Sequence, residues 1–174
     1  MACDISLGRL EPCKDSVGGL KAIYIVNYEP TFLATSTIST DDVITINSIT
    51  PPAYKFELRG ANTFDEANEV SKENGTSFWT ATGTIALKKQ DAVTRKQLKL
   101  LSFGRPQIIA EGYDGQFKIY GIENGCDVAV NTVSGAAMGD LNGYNLTITA
   151  QEKAPAYFLD ATSIVDIIDI IEGV

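Results

Sequence analysis

The side chains best suited to catalysis are two pairs of adjacent carboxylates, Asp41-Asp42 and Asp65-Glu66. General acid–base catalysis needs two carboxylates that converge on a cleft and titrate at different pH values. Neighbouring acids in turns are more simply explained as solvated loop residues, and neither a nucleophile–base pair nor a phosphate-binding loop accompanies them. The 174 residues include no histidine, which excludes His-based triads and His-ligated catalytic zinc. We therefore expect a protein that is not an enzyme and that has no cofactor or metal site.

The overall composition indicates one globular domain with an acidic surface. Hydrophobic residues make up 44% of the chain, which is enough for a core, and the net charge is −8. Because phosphates are neutralised by a basic face, sequence-independent DNA binding is not expected. There is no apolar run of the roughly 18 residues needed for a membrane helix, and no signal peptide is recognised, so we expect a soluble protein made in the cytoplasm.

The three cysteines, Cys3, Cys13 and Cys126, are an odd number, which argues against a full disulfide framework. We expect free structural thiols, as is usual in a reducing compartment. A bridge or a metal pair between Cys3 and Cys13 is the alternative.

Alternation of apolar and polar residues predicts a mostly β fold. The predicted strands are 20–28, 43–49, 54–59, 77–89, 107–111, 116–122, 127–133, 144–150 and 154–159. Strand 77–89 places Trp79, Ala81, Gly83, Ile85 and Leu87 on one face, so Trp79 is expected in the core. The polar stretch 60–76 has no period and is predicted to be a long loop with a working surface. Residues 163–172 fit a helix and a strand equally well.

One helix is predicted between the two runs of strands. Asp91 is a suitable N-cap, residues 92–103 are rich in helix formers, and Gly104 and Pro106 provide a stop. The segment 88–105 contains six basic residues and one acid, a net charge of +5 within an acidic chain. This basic surface is either a solvated helix face or an electrostatic docking surface for an acidic partner.

Several segments then follow one another in a characteristic order. They are GRLEPCKDSVGGLKAIYIVNY, SKENGTSFWTATGTIALKK, the helix DAVTRKQLKLLSFGRP, and an S-G-x-x-x-G-D-x-x-G-Y turn followed by an alternating strand that contains Glu152. Over about residues 8–160 this order resembles the tail tube proteins of tailed bacteriophages, of the kind found in contractile tails. The shared features are turns and packing positions, with no catalytic signature.

The resemblance implies a two-sheet β-sandwich or small barrel, flanked by one helix at about 91–103 and carrying the long loop 60–76. It divides the chain into an N-terminal arm (1–18), a β domain (19–160) and a C-terminal tail (161–174). In this family, which is related to tube proteins of type VI secretion and contractile injection systems, subunits form rings, usually hexamers. The rings stack into a conduit through which DNA passes without specific binding.

The resemblance also implies partners and contacts. The chain would be made in the bacterial host cytoplasm and act in the virion tail, without a membrane anchor. Its partners would be further copies of itself and, in addition, tail sheath, baseplate or tail terminator proteins. The arm 1–18 and the tail 161–174 would lie at contacts between subunits or rings. The expected interface with a neighbouring subunit or sheath consists of Lys88, Lys89, Arg95, Lys96, Lys99 and Arg105. The expected contact with the adjacent ring consists of Asn62, Phe64, Glu66, Glu69, Lys72 and Asn74.

Two alternatives remain at this point. The same fold serves tail tube initiators, tail tube terminators and capsid decoration proteins, and a closed single ring instead of open polymerisation would distinguish such roles from a tube subunit. A monomeric β-sandwich module for adhesion or carbohydrate binding would instead need a cluster of surface aromatic residues. Tyr24, Tyr54, Phe56 and Trp79 mostly fall on alternating faces typical of a core, which disfavours that module.

Overall fold

A computed structural model of the protein describes residues 5, 7–46, 52–160 and 171–172. Within these ranges the chain is mostly β, with two helices. The strands are β1 (Leu20–Val26), β2 (Ser36–Ile38), β3 (Val43–Ile46), β4 (Ala53–Glu57), β5 (Thr63–Ser71), β6 (Thr76–Lys88), β7 (Gln107–Gly112), β8 (Phe117–Tyr120), β9 (Cys126–Val133), β10 (Gly143–Glu152), β11 (Tyr157–Leu159) and β12 (Ile171–Glu172). The helices are α1 (Phe32–Thr35) and α2 (Ala92–Leu101).

The strands form two sheets. One has eight strands in the order β12-β4-β1-β7-β8-β11-β3-β2, and the other has four in the order β5-β6-β10-β9. Neighbouring strands are antiparallel except for the pairs β11–β3 and β12–β4, which are parallel. Neither sheet closes on itself in the described part of the chain, so the fold is the predicted sandwich and not the small barrel that was its alternative.

The main core fills the space between the sheets. Alternate residues of β6 point into it, and Ala81, Ile85 and Leu87 are buried there as the sequence predicts. Strand β10 of the same sheet contributes Ile148, and β7 of the facing sheet contributes Ile108. Full burial of one such side chain stabilises the fold by about 1.5–3 kcal/mol. A second cluster lies on the other face of the eight-stranded sheet, because its strands bury alternate residues on both sides.

Helix α2 forms where the sequence predicts it. The side chain of Asp91 accepts a hydrogen bond from the backbone N–H of Thr94 at 2.7 Å, which satisfies a donor that has no partner inside the helix. Leu98 is buried and packs into the main core, and Leu101 packs partly against it. The helix ends at Leu101, before the predicted stop at Gly104. The four-residue helix α1 and the short strand β2 lie outside the sequence prediction.

The prediction of a long loop at 60–76 is wrong. Residues Thr63–Ser71 form strand β5, which pairs with β6 along its whole length, and only residues 72–75 make the turn. The acidic composition of this segment hides the strand, because β5 lies at a sheet edge and does not need a continuous apolar face. Of the predicted strand 43–49, residues 43–46 form β3 and the rest lie outside the described residues. The same holds for 163–170 of the tail, of which only 171–172 are described, as β12.

Candidate functional site

The four-stranded sheet has two open edges. Among the described residues, β5 pairs only with β6 and β9 pairs only with β10. The ends of β9 are tied, since the N–H of Cys126 donates to the carbonyl of Pro106 and the carbonyl of Val133 accepts from the side chain of Gln90. Between them, residues 127–132 pair with no further described strand, and helix α2 lies beside β9. An open edge is a row of unpaired backbone donors and acceptors that can bind another strand.

The β5 edge is acidic. Asp65 and Glu69 are exposed, and Glu69 accepts a hydrogen bond from the hydroxyl of Thr80 at 2.7 Å. Glu66 is half-buried and accepts from the backbone N–H of Ala156 at 2.7 Å, which ties β5 to the segment before β11. Of the carboxylate pair, Asp65 thus faces solvent, whereas Glu66 makes a structural hydrogen bond.

The six residues expected at the adjacent ring fall into different environments. Asn62 is only 1% exposed, so the structure places it inside the chain and not at a contact surface. Its Oδ1 accepts from the N–H of Ala86 at 2.8 Å, where β6 extends beyond the start of β5. Phe64 is half-buried and stacks on Tyr120 with ring centroids 3.9 Å apart. The remaining residues of this set line the edge or the turn, namely Glu66, Glu69, Lys72 and Asn74.

The predicted basic surface lies on and around α2. All six of its residues are exposed: Lys88, Lys89, Arg95, Lys96, Lys99 and Arg105. The guanidinium of Arg105 lies 4.1 Å from the ring centroid of Tyr28, a cation–π contact that fixes this side chain. Sequence analysis missed three exposed apolar side chains on the same segment, Val93, Leu100 and Phe103. Their spacing of seven and three residues would have shown that they share one side of a helix.

The S-G-x-x-x-G-D-x-x-G-Y turn joins β9 to β10. Asp140 Oδ2 accepts from the N–H groups of Ala136 at 2.9 Å and Ala137 at 2.8 Å. These hydrogen bonds hold the pKa of Asp140 below its usual value. Gly135 has a φ of +70°, and a Cβ there would meet Asp140, which explains why this turn carries glycine. The fully exposed Met138 lies in the middle of this turn.

A cleft lies where β6, β10 and the segment before β11 meet. Trp79, Ile122 and Tyr157 line it, so Trp79 is half-buried at its wall rather than in the core. Its volume is about 20 Å³, room for about one water molecule. Glu152 lines it too and accepts from the N–H groups of Glu123 and Asn124. Burial raises the pKa of Glu152, although those two N–H groups oppose the shift.

The cleft carboxylates have structural partners. Glu152 and Glu66 both line the cleft, and each accepts a hydrogen bond from a backbone N–H. Asp41 and Asp42 are exposed and do not line the cleft. The described residues contain no group of three or more Cys, Asp or Glu side chains arranged to hold a metal ion. None of their helices is long and apolar enough to cross a membrane.

The two described cysteines have free thiols in contrasting environments. Cys13 is exposed on the N-terminal arm, whereas Cys126 is buried at the start of β9. Burial raises the pKa of the Cys126 thiol well above its usual range, so little reactive thiolate forms there at neutral pH. Cys3, and with it the alternative of a bridge or a metal pair to Cys13, lies outside the described residues.

No protein-family model, curated protein or solved structure matches this chain. The described residues form a β-sandwich with the ten-residue helix α2, a small cleft and a four-stranded sheet whose two outer strands pair on one side only. The two edges differ in charge. One edge is acidic, and the other lies beside the basic helix α2.

Proposed function

We propose that this chain is a tail tube subunit of a tailed bacteriophage, which assembles into stacked rings that conduct DNA. The observation that carries the proposal is the pair of open edges on opposite sides of the four-stranded sheet. The resemblance of the ordered sequence segments to tail tube proteins supports the same conclusion. The proposed site of action is the virion tail, and the first partner is a second copy of the chain.

The strand directions suit a ring. Each neighbouring pair in the four-stranded sheet is antiparallel, so β5 and β9 run in opposite directions. When copies are related by rotation about an axis roughly along the strands, β5 of one copy meets β9 of the next in antiparallel orientation. The lengths agree, with nine residues in β5 and eight in β9. Such a head-to-tail contact closes into a ring when the rotation between copies divides a full turn, and a closed ring leaves neither edge of this sheet open.

The solvent face of the same sheet suits the lumen of such a ring. It is rich in threonine, with acidic residues at both edges: Thr80, Thr82, Thr84, Thr147 and Thr149 in the middle, and Asp65, Glu69 and Asp127 on the outer strands. Lys88 lies at one end of this face. Neutral and acidic side chains offer DNA phosphates few cationic contacts, so DNA could slide without being held. A barrel of 16–18 strands already leaves an aqueous channel, and six four-stranded sheets would supply more.

Two substitutions at residues that face each other on neighbouring strands test the edge contact. Ala129 of β9 and Thr147 of β10 are cross-strand partners, and both are exposed. Ala129→Glu adds a like charge beside the acidic β5 edge of the neighbour, whereas Thr147→Glu adds the same charge to a central strand. We expect Ala129→Glu to raise the concentration needed for assembly about tenfold or more, equivalent to about 1.4 kcal/mol per contact. Sedimentation velocity over a concentration series measures the concentration at which each variant assembles.

The outcomes separate the candidate roles. Equal assembly of the two variants would refute edge pairing. Single rings that never stack would favour a tube initiator or terminator over a tube subunit. A stable monomer at all concentrations would favour an isolated binding module, although the cleft described above is too small for a sugar ring.

A further inference from the structure

Helix α2 and the turn after it expose three large apolar side chains. Leu98 is its one buried residue, whereas Val93 and Leu100 are exposed at 59% and 58%, and Phe103, just after the helix, at 79%. Single exposed apolar residues are normal on a protein surface. Three on one side of one helical segment form a patch, and a patch of this kind marks a contact with another molecule.

The patch is also basic. Lys96 lies three residues after Val93 and four before Leu100, so it falls between them on the same side of the helix. Lys99, three residues after Lys96, extends the basic surface on the same side, and both lysines are exposed. A partner that covers this surface should therefore be apolar in its centre and acidic around it.

The hairpin of β5 and β6 has this chemistry. Pairing between β6 and β10 ends at Trp79 and Glu152, so the β5–β6 tip projects beyond the rest of the four-stranded sheet. The segment 63–75 has four acids and one lysine, a net charge of −3. Val70 is 71% exposed near the tip, between Glu69 and Glu73.

The fold places these two surfaces where neighbouring copies would bring them together. Tyr144 donates its hydroxyl proton to the carbonyl of Asp91, and Cys126 donates its N–H to Pro106, so the α2 segment is anchored near both ends of β9. The C-terminal end of α2 is at the Cys126 end of the sheet, which is also the end where the hairpin projects. Within one chain, three strand spacings of about 4.8 Å, about 14 Å in all, separate the edges β5 and β9.

We infer that the exposed face of α2, formed by Val93, Lys96, Lys99, Leu100 and Phe103, is the docking surface for the acidic β5–β6 hairpin of a second copy of this chain. This inference rests on the proposed side-by-side assembly and specifies a second contact within it. Val70 packs against Leu100 and Phe103, and Glu73, in the turn next to Val70, faces Lys96 and Lys99. The contact adds specificity to edge pairing, because it fixes which edge of the neighbour is accepted.

A cross-linking experiment tests the apolar part of the contact. Two chains are prepared with Cys3→Ser and Cys13→Ser, keeping the buried Cys126, and one carries Val70→Cys while the other carries Leu100→Cys. Mild oxidation of their mixture should give a disulfide-linked heterodimer. The control mixture combines Leu100→Cys with Ile38→Cys, an exposed apolar position on β2 of the other sheet. A heterodimer yield no higher than in the control, under conditions where the chains form rings, overturns the inference and leaves the proposed function standing.

A charge exchange tests the electrostatic part. Lys96→Glu with Lys99→Glu should raise the concentration needed for ring formation about tenfold, which corresponds to about 1.4 kcal/mol. Adding Glu73→Lys to the same chain should restore part of the assembly, which a merely structural defect would not allow. Unchanged assembly of the lysine variant, or no restoration, overturns the docking contact. Failure of the unsubstituted chain to assemble overturns the proposed function itself, and this inference with it.

Discussion

Replacing Asn62 with alanine should destabilise the fold rather than weaken a contact between copies. Asn62 Oδ1 accepts from the N–H of Ala86 at 2.8 Å and so replaces the backbone acceptor that β5 does not supply at this point of the ladder. Its Nδ2 also donates to the carbonyl of Gly60, over a longer 3.4 Å. The side chain thus completes the end of the β5–β6 pairing.

The size of the effect follows from the hydrogen bond that is lost. Leaving a buried N–H without an acceptor costs about 1–3 kcal/mol. Ala86 is half-buried, so water can partly replace the amide, and we expect Asn62→Ala to lower the free energy of unfolding by about 1–2 kcal/mol. The 3.4 Å bond to Gly60 adds little, because it is long.

Urea unfolding followed by the fluorescence of Trp79, the single tryptophan, measures this loss at concentrations too low for assembly. Asn68→Ala is the matched control, since Asn68 is exposed on the same hairpin and bonds only to Ser77 and to the carbonyl of Phe78. We expect the control to change stability by no more than about 0.5 kcal/mol. The reasoning is refuted if the two variants lose the same free energy.

Three further predictions follow from buried or hydrogen-bonded groups. Leu98→Ala should lower the free energy of unfolding by about 2–5 kcal/mol, because Leu98 is the buried anchor of α2, and the same urea assay measures it. A maleimide should label Cys13 in the native protein and Cys126 only after unfolding, and peptide mapping that finds equal labelling would contradict the burial of Cys126. Because the folded-state pKa of Asp140 is lowered, its stabilising effect should persist above the ordinary aspartate pKa, near 4, and be lost as the pH falls through the lower value. Carbon NMR titration of this carboxyl tests that order, and a midpoint at or above 4 would be inconsistent with the two N–H bonds.

The elements that face the core could be predicted from the sequence. In β6 the buried residues Ala81, Ile85 and Leu87 alternate with polar ones, and this period of two reports which side packs on the other sheet. Helix α2 could be predicted equally well, because Asp91 is a typical N-cap, and the structure shows its hydrogen bond with Thr94.

The features at the sheet edge could not be predicted in this way. β5 is stabilised by its backbone pairing with β6 and by Phe64 on Tyr120, so its acidic sequence carries no period. Asn62 is buried because the β5–β6 ladder ends beside it, and only the three-dimensional register reveals that position. Sequence periodicity reports burial within one chain, so it gives no information about contacts between chains.

Electron microscopy of the purified chain in negative stain, over a range of concentrations and with light scattering alongside, tests the proposed assembly most directly. Edge pairing between β5 and β9 predicts rings with an open lumen that stack into tubes as the concentration rises. A monomer that persists up to about 1 mM would limit the association free energy of the edges to weaker than about −4 kcal/mol. That result would contradict a tail tube built by this chain through its sheet edges.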